Sequence, residues 1–339
     1  MARSALAVHG GAGTILREQM TAELEREYRG ALENALKAGW GVLAKNGSSL
    51  DAVEAAVVSL EDFPLFNAGR GSVFTSEGKN EMDAAIMDGH NLKAGAVAFV
   101  KNIRNPIKLA RQVMERTEHV LLAGEGANQF AAEIGAETAP DEYFFTEHRW
   151  LQLQEAIAAG RVQLDHTDIS TAEPPRRGDV NAETRAVASV LSSQNPQSAI
   201  RNPQSKGTVG AVACDANGFL AAATSTGGMT NKHFGRVGDT PLIGSGTYAD
   251  KLCAVSCTGH GEYFMLGATA YDVSARMRYK GLTVKEAADE TIERLTEIKG
   301  EGGIIAVDSQ GNIALPFNSD GMYRGQVSEN GEFIVEIYK

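Results

Sequence analysis

The chain has 339 residues, 43% of them hydrophobic and 22% charged, with a formal net charge of −11. Such a composition is ordinary for a soluble globular protein, and the length suits one large α/β domain or two smaller ones. No basic block is present to neutralise phosphates, which argues against nucleic acid as a partner, and no run approaches the roughly 18 apolar residues of a membrane span. Three cysteines, Cys214, Cys253 and Cys257, are an odd number in a long chain and fit a reducing compartment better than a disulfide framework. The apolar run Ala5–Val8 is too short for a signal h-region, so a cytoplasmic location is expected.

In chain order, Leu6–Val8 reads as a short buried strand running into His9-Gly10-Gly11-Ala12-Gly13. The glycines lack the G-x-G-x-x-G spacing of a dinucleotide site, and no G-x-S-x-G elbow accompanies them. The stretch reads as a tight turn where backbone packs closely. Thr21 to Lys45 predicts a helix, with Leu24, Tyr28, Ala31, Leu32, Ala35 and Leu36 near 3.6-residue spacing. Ser48-Ser49-Leu50-Asp51 offers a capping-box start for a second helix carrying Ala52, Val53, Ala56, Val57 and Leu60. Leu60 to Gly71 is a loop, in which Asn67 taken alone reads as a turn asparagine bonding its own backbone. Glu81–Asp88 and Ala94–Val100 read as strands, with Asp83 and Asp88 either paired acids or, as the preferred reading, a capped strand end or solvated edge. Helices are expected at Ile107–Glu115, Glu125–Ile134 and Glu147–Ala159, and a short strand at His119–Leu122, where His119 has no evident partner.

From Gly160 the proportion of charge, Pro, Ser, Asn and Gln rises, and N-P-Q-S occurs twice, at Asn195–Ser198 and Asn202–Ser205. Such a segment cannot bury enough apolar surface to offset its ordering entropy, so residues 175–206 are expected to form a flexible linker. A β-hairpin follows. Val209, Ala211 and Ala213 alternate with small partners, Asn217-Gly218 supplies the turn, and Phe219–Thr226 returns. Two helices, Tyr263–Tyr279 and Val284–Ile298, precede a second hairpin, Gly303–Val307 with Asn312–Leu315, and a last strand at Glu332–Ile337. Helices in pairs between sets of strands predict two sheets between two helix layers, whereas simple β-α-β alternation would have argued for a Rossmann-type sheet. Cys253, Cys257 and His260 make a poor zinc set with no second pair, and buried thiols are the preferred reading.

The Gly207–Thr208 junction suggests a chemistry. A threonine hydroxyl is a weak nucleophile unless a base takes its proton. A chain N-terminus places such a base on the same residue, because the α-amine has a reference pKa of about 7.7–8.0, close to the optimum for general-base work near neutral pH. Thr208 is internal, so this reading requires cleavage of the bond before it. Glycine at 207 tolerates the strained backbone such a bond needs. The competing reading is a plain β-branched strand residue. Thr226, at the far end of the return strand, is either a cross-strand partner of Thr208 or the hydroxyl that orients it. Arg236 and Asp239 in R-V-G-D are either a surface ion pair of little worth or a forked contact for an α-carboxylate beside an acceptor for an α-ammonium.

Several stretches together, G-T-V-G-A-V-A, A-A-A-T-S-T-G-G-M-T-N-K, G-R-V-G-D-T-P-L-I-G-S-G and S-C-T-G-H-G-E, with H-G-G-A-G and P-L-F-N-A-G-R-G-S-V-F upstream, closely resemble the plant-type asparaginases. These enzymes are also isoaspartyl peptidases and belong to the N-terminal-nucleophile hydrolases. The resemblance covers nearly the whole chain outside the linker. It implies an α+β fold, a four-layer αββα sandwich, built as a single domain from two autocleaved segments, 1–207 and 208–339. It implies Thr208 as nucleophile, Gly207–Thr208 as cleavage site, Thr226 as its orienting partner, and Thr258 with Gly259 as oxyanion hole. Arg236, Asp239, Gly238, Gly261 and Asn67 would surround the substrate. His260 replaces a small polar residue of some relatives, and would point outward or tune leaving-group preference. A sodium ion would be wrapped by the backbone carbonyls of Leu60, Glu61, Phe63, Phe66, Ala68 and Arg70, with no organic cofactor. The implied substrates are small molecules, β-aspartyl dipeptides and L-asparagine, and the implied assembly is (αβ)₂. A glycosylasparaginase or a threonine-aspartase-like hydrolase is the alternative within the superfamily. An uncleaved, inactive precursor acting as a binding protein is the alternative from another class.

Overall fold

The central hairpin is present. Strands β5 (Val209–Cys214) and β6 (Leu220–Thr226) pair antiparallel from Val209 opposite Ser225 to Cys214 opposite Leu220. Asp215 closes the turn by accepting from the backbone N–H groups of Asn217 and Phe219, with Gly218 at φ +78°. The structure, a computed structural model, describes residues 3–160, Val162 and 207–339. The expected linker at 175–206 lies outside the described residues.

The hairpin sits in the middle of an eight-stranded sheet whose order is β12 (Ile334–Tyr338), β11 (Gly321–Ser328), β1 (Ala5–Gly13), β5, β6, β2 (Met82–Asp88), β3 (Lys93–Val100) and β4 (Leu121–Ala123). A four-stranded sheet runs β10 (Ile313–Ala314), β9 (Gly302–Asp308), β8 (Cys253–Gly259), β7 (Thr247–Ala249). Every strand-to-strand pairing among the described residues of these two sheets is antiparallel except β3 with β4.

Strand periodicity of two residues decides what each side chain meets. Leu6, Val8, Val209, Ala211, Ala213, Ala221 and Ala223 pack toward α1 (Ala22–Leu43), α2 (Ser49–Glu61) and α3 (Pro106–Arg116). Their neighbours Ala5, Ala7, Val212, Cys214, Leu220 and Ala222 meet Ala254, Ile305 and Val307 of the smaller sheet. On that sheet's other face, Cys253, Val255, Cys257, Ile304 and Ala306 pack with residues of α8 (Thr269–Lys280) and α9 (Val284–Glu297). The three cysteines are buried thiols, and burial pushes Cys214 up to about 12, so they are held protonated and unreactive. The remaining described α-helices are α4 (Gly124–Glu133), α5 (Asp141–Phe144), α6 (Glu147–Ala158) and α7 (Gly261–Gly267).

Helix starts follow the expected chemistry. Thr21, Ser48 and Thr283 each accept the N–H three residues on, and Thr283 with Glu286 completes a capping box. Other expectations are corrected. The glycine stretch at 9–13 is not a turn but the end of β1, with an irregularity between His9 and Gly11. A Cβ at Gly10 would lie 2.2 Å from the Phe66 ring, so glycine is what lets the strand pass it. The single helix expected at 263–279 is two, broken at Ala268 (φ +46°), because the amides of Ala270 and Tyr271 are taken by the carbonyls of Ser245 and Gly244. Asp88 does cap its strand end, accepting from His90 N and Asn91 Nδ2. Asp83 is fully buried instead of solvated. His119 is exposed, away from any site.

Candidate active site

The inter-sheet face of the central strands carries hydroxyls where it reaches one end of the molecule. Thr208 on the approach to β5, Thr224 and Thr226 on β6, and Ser256 and Thr258 on β8 share the parity of Val212, Cys214, Ala222 and Ala254, which line the inter-sheet core, and Gly210 falls in the same row. At that end they open on a cavity lined by Gly207, Thr208, Thr226, Thr258, Gly259 and Gly261 on one side and by Asn67, Arg236, Gly238 and Asp239 on another. Gly228, Met229 and Thr240 complete the lining. His260 is not part of it. Its imidazole stands beside Tyr263, 4.7 Å between ring centroids, and 3.6 Å from Glu262.

Thr208 Oγ1 donates to Thr226 Oγ1 at 3.1 Å, and the same Thr226 oxygen accepts from Gly228 N at 3.0 Å. Thr226 is therefore tied to the turn after β6 and presents a fixed acceptor to Thr208. Gly207 has φ +97°, in the region that favours glycine. A Cβ there would lie 2.5 Å from Gly11 Cα, so the backbone of β1 presses on the junction from behind.

Arg236 and Asp239 do not pair with each other, which removes the surface ion-pair reading. Arg236 Nε and Nη2 donate to the two carboxylate oxygens of Glu262 at 2.9 and 2.8 Å. Burial acts to raise the Glu262 pKa, but these bonds and the Arg236 charge outweigh it and hold the carboxyl below its usual value. Glu262 thus uses the side edge of the guanidinium and leaves the Nη1/Nη2 end free to grip a second carboxylate. Glycines make room there: a Cβ at Gly238 would be 2.9 Å from Nη1 and one at Gly261 3.0 Å from Nη2. Asp239 is 5% exposed and its Oδ2 has no hydrogen-bond partner. Burial pushes its carboxyl up to about 7, opposed by the Arg236 charge. Thr258 Oγ1 is likewise buried and without a partner. Buried polar atoms are nearly always satisfied, so a carboxylate oxygen and a hydroxyl left over in one cavity mark where a ligand with a donor and an acceptor belongs.

Asn67 corrects its single-residue reading. It is no self-bonded turn asparagine: Nδ2 donates to Gly228 O at 2.7 Å and Oδ1 accepts from Val73 N at 3.0 Å. It fastens the 60–71 loop to the turn that holds Thr226. Lys232, which sequence reasoning left without a role, does similar work. Its buried Nζ donates to Glu81 O at 2.8 Å and Gly227 O at 3.1 Å, and Asp83 supplies nearby negative charge. Its position in T-G-G-M-T-N-K was the only signal available.

Glycines of the same loop pack against its carbonyls. A Cβ at Gly69 (φ +50°) would lie 2.5 Å from Glu61 O, and one at Gly71 would lie 2.0 Å from Phe66 O and 2.5 Å from Pro64 O. Only glycine permits this close packing of the backbone. Among the described residues no group of three His, Cys, Asp or Glu side chains could hold a metal.

A family model described as Asparaginase matches residues 2–336. The chain belongs to the asparaginase family. Among its relatives in this family, an isoaspartyl peptidase of Salmonella typhimurium is 47% identical over 96% of this chain and 95% of its own length. An isoaspartyl peptidase of Escherichia coli is 46% identical over 96% of this chain and 92% of its own, and a plant-type L-asparaginase of Pyrococcus abyssi is 43% identical over 94% of each. Like those asparaginase-family hydrolases, the chain is an enzyme. No helix among its described residues is long and apolar enough to cross a membrane.

Proposed function

We propose that this asparaginase-family member is an autoprocessing threonine amidohydrolase acting on β-aspartyl dipeptides and on the side-chain amide of L-asparagine. The observation that carries the reading is the placement of the Thr208 hydroxyl, 3.1 Å from Thr226, in one cavity with the free guanidinium edge of Arg236 and the unpartnered oxygens of Asp239 and Thr258.

A substrate linked through its β-carboxyl keeps a free α-carboxylate and α-ammonium. Arg236 takes the first and Asp239 the second, which sets the β-carbonyl against Thr208. The Thr208 amine, freed by maturation, accepts the hydroxyl proton as Oγ1 attacks. The oxyanion is held by the Thr258 hydroxyl and the Gly259 N–H, a kind of contact worth about 10²–10³ in rate per donor. The protonated amine then delivers its proton to the leaving ammonia or amino acid, and a β-aspartyl ester remains on Thr208. Water, deprotonated by the same amine, hydrolyses the ester and restores the enzyme. In maturation the same oxygen attacks the Gly207 carbonyl, the peptide passes through an ester, and water releases the two chains.

The reading extends to a single αββα domain made of segments 1–207 and 208–339 and assembled as (αβ)₂, supported by the family membership and by the pattern of sheets and helices. It includes a sodium ion on the carbonyls of Leu60, Glu61, Phe63, Phe66, Ala68 and Arg70, supported by the resemblance of that loop to the family's. Sodium there would stiffen the segment that carries Asn67 and takes no chemical step. The free cysteines fit a cytoplasmic location. The test is direct. Purified protein should resolve into two fragments, the smaller beginning T-V-G-A, and Thr208→Ala should remain one chain and be inactive; a single band that hydrolyses substrate refutes the proposal.

A further inference from the structure

Beneath the nucleophile runs a line of buried polar groups that the mechanism above leaves unused. His9 Nδ1 lies 3.0 Å from the carbonyl oxygen of Thr208, and His9 Nε2 lies 2.8 Å from Ser256 Oγ. Ser256 Oγ is 2.7 Å from Thr224 Oγ1, which is 2.7 Å from Thr247 Oγ1. Thr247 in turn reaches the carbonyl of Thr240 at 3.0 Å, next to Asp239. His9, Ser256, Thr224 and Thr247 are all fully buried.

Donor counting gives this line a direction. A carbonyl only accepts, so Nδ1 must carry the ring proton. Nε2 is then a lone pair, and Ser256 must donate to it. With its single proton used, Ser256 can only accept from Thr224. Thr224 in turn accepts from Thr247, whose proton is shared with the Thr240 carbonyl. The imidazole is neutral in this scheme, and burial pushes its pKa down to about 3, opposed by the bond to Thr208. The arrangement requires glycine at 210, where a Cβ would lie 2.1 Å from Ser256 Oγ and 2.4 Å from His9 Nε2.

The line also meets a structural need. Pairing between β1 and β5 stops at His9 opposite Gly210, so the ladder does not extend to residue 208. Thr208 thus lies outside the β1–β5 ladder, and after cleavage it would be a chain end. Resting on the reading of Thr208 as nucleophile, we propose that His9 is a positioning residue. Its Nδ1–H fixes the Thr208 carbonyl and so the bearing of the amine and hydroxyl, while the hydroxyls behind it brace that geometry against the loop of Asp239.

The test compares mature wild type, His9→Ala, His9→Asn, Thr224→Val and Thr208→Ala, with kcat and KM for L-asparagine measured per cleaved chain and the thermal midpoint recorded. Misplacement of a reacting group by the order of 1 Å costs about 10²-fold, so His9→Ala should lower kcat by about 10- to 100-fold with KM changed by less than about twofold. His9→Asn, whose Nδ2–H can stand in for the Nδ1–H, should recover at least about a third of the wild-type kcat. A purely structural role would lower the thermal midpoint of both variants alike and spare kcat per cleaved chain. Unchanged kcat in His9→Ala, or an Asn variant no better than Ala, overturns the proposal. If the His9 variants fail to fold, Thr224→Val decides: it severs the line beyond Ser256 and should lower kcat several-fold, and an unchanged kcat counts against the line. Activity retained by Thr208→Ala would instead sink the nucleophile reading, and the role of His9 with it.

Discussion

The guanidinium of Arg236 lies side-on to the Glu262 carboxylate, with two hydrogen bonds of 2.9 and 2.8 Å. This pair is an aiming device. With Nε and one edge of Nη2 occupied, the group cannot swing, and its remaining fork faces the cavity between Gly238 and Gly261. Glu262→Gln keeps one acceptor and loses the charge. We expect KM for L-asparagine to rise by about fivefold, from the loss of about 1 kcal/mol of orientation, with kcat within about twofold and self-cleavage normal. Steady-state kinetics on the matured variant checks this, and a fall in kcat at constant KM would move Glu262 from substrate anchoring into the chemical step.

Asp239 should make substrate binding depend on pH. Its carboxyl, pushed up to about 7 by burial, must be ionised to receive an α-ammonium. KM should therefore fall as pH rises through about 7, by roughly tenfold between pH 6 and pH 8. Asp239→Asn should show a high KM without this slope. The same raised pKa has a stability consequence of opposite use. Relative to an unfolded carboxyl near 3.8, the folded state is favoured below about pH 4, and that advantage is lost as pH climbs through about 7. Asp239→Asn should accordingly raise the thermal midpoint more at pH 8 than at pH 5, which calorimetry at the two pH values would read.

Thr226→Val preserves shape and removes the oxygen that receives both Thr208 Oγ1 and Gly228 N. The expected result is a kcat lower by about 10- to 100-fold and slowed maturation, since a buried donor left unpaired costs about 1–3 kcal/mol and the nucleophile loses its guide. Thr226→Ser should retain most activity. The appearance of the smaller fragment on a gel over time, with kinetics on the fraction that matures, separates the two effects.

Gly207→Ala tests the pressed junction. With φ at +97° and Gly11 Cα only 2.5 Å from the new Cβ, the scissile carbonyl must shift. Left-handed backbone alone costs an L-residue roughly 1–2 kcal/mol, and the clash adds to that. We expect cleavage to slow at least about tenfold, while any matured fraction, in which residue 207 is a chain end no longer bonded to Thr208, turns over at about the wild-type rate per active site. Wild-type cleavage kinetics would show that the junction is not held as described.

What could be read from the chain was local. Helix α1 announced itself through Leu24, Tyr28 and Leu32 at helical spacing, and the central hairpin through Asn217-Gly218 and the alternation of Val209, Ala211 and Ala213. Strand β11 went unseen because Gly321, Arg324, Gly325 and Gln326 erase its apolar alternation, although it lies between β1 and β12. Motif resemblance named residues that line one cavity, but not their partners. Asn67 meets Gly228 across 161 positions, and His9 meets Ser256 across 247. No periodicity or spacing encodes a contact made only when a strand from one end of the chain docks beside one from the other. The pairing of Arg236 with Glu262 was hidden for the same reason, since it depends on α7 starting where the R-V-G-D loop returns.

The larger sheet alternates strands from the two sides of residue 208. Reading across it, β12 and β11 come from beyond residue 208, β1 from before it, β5 and β6 from beyond, and β2, β3 and β4 from before. A break at 207 would leave two polypeptides woven through a single sheet, each supplying hydrogen bonds to the interior of the other. Neither piece could be withdrawn without tearing the weave, so the nicked molecule should migrate as one species in every native separation and come apart only in denaturant. Mixing separately expressed pieces would then be a refolding problem in which both must interlace at once, not a docking of two finished bodies.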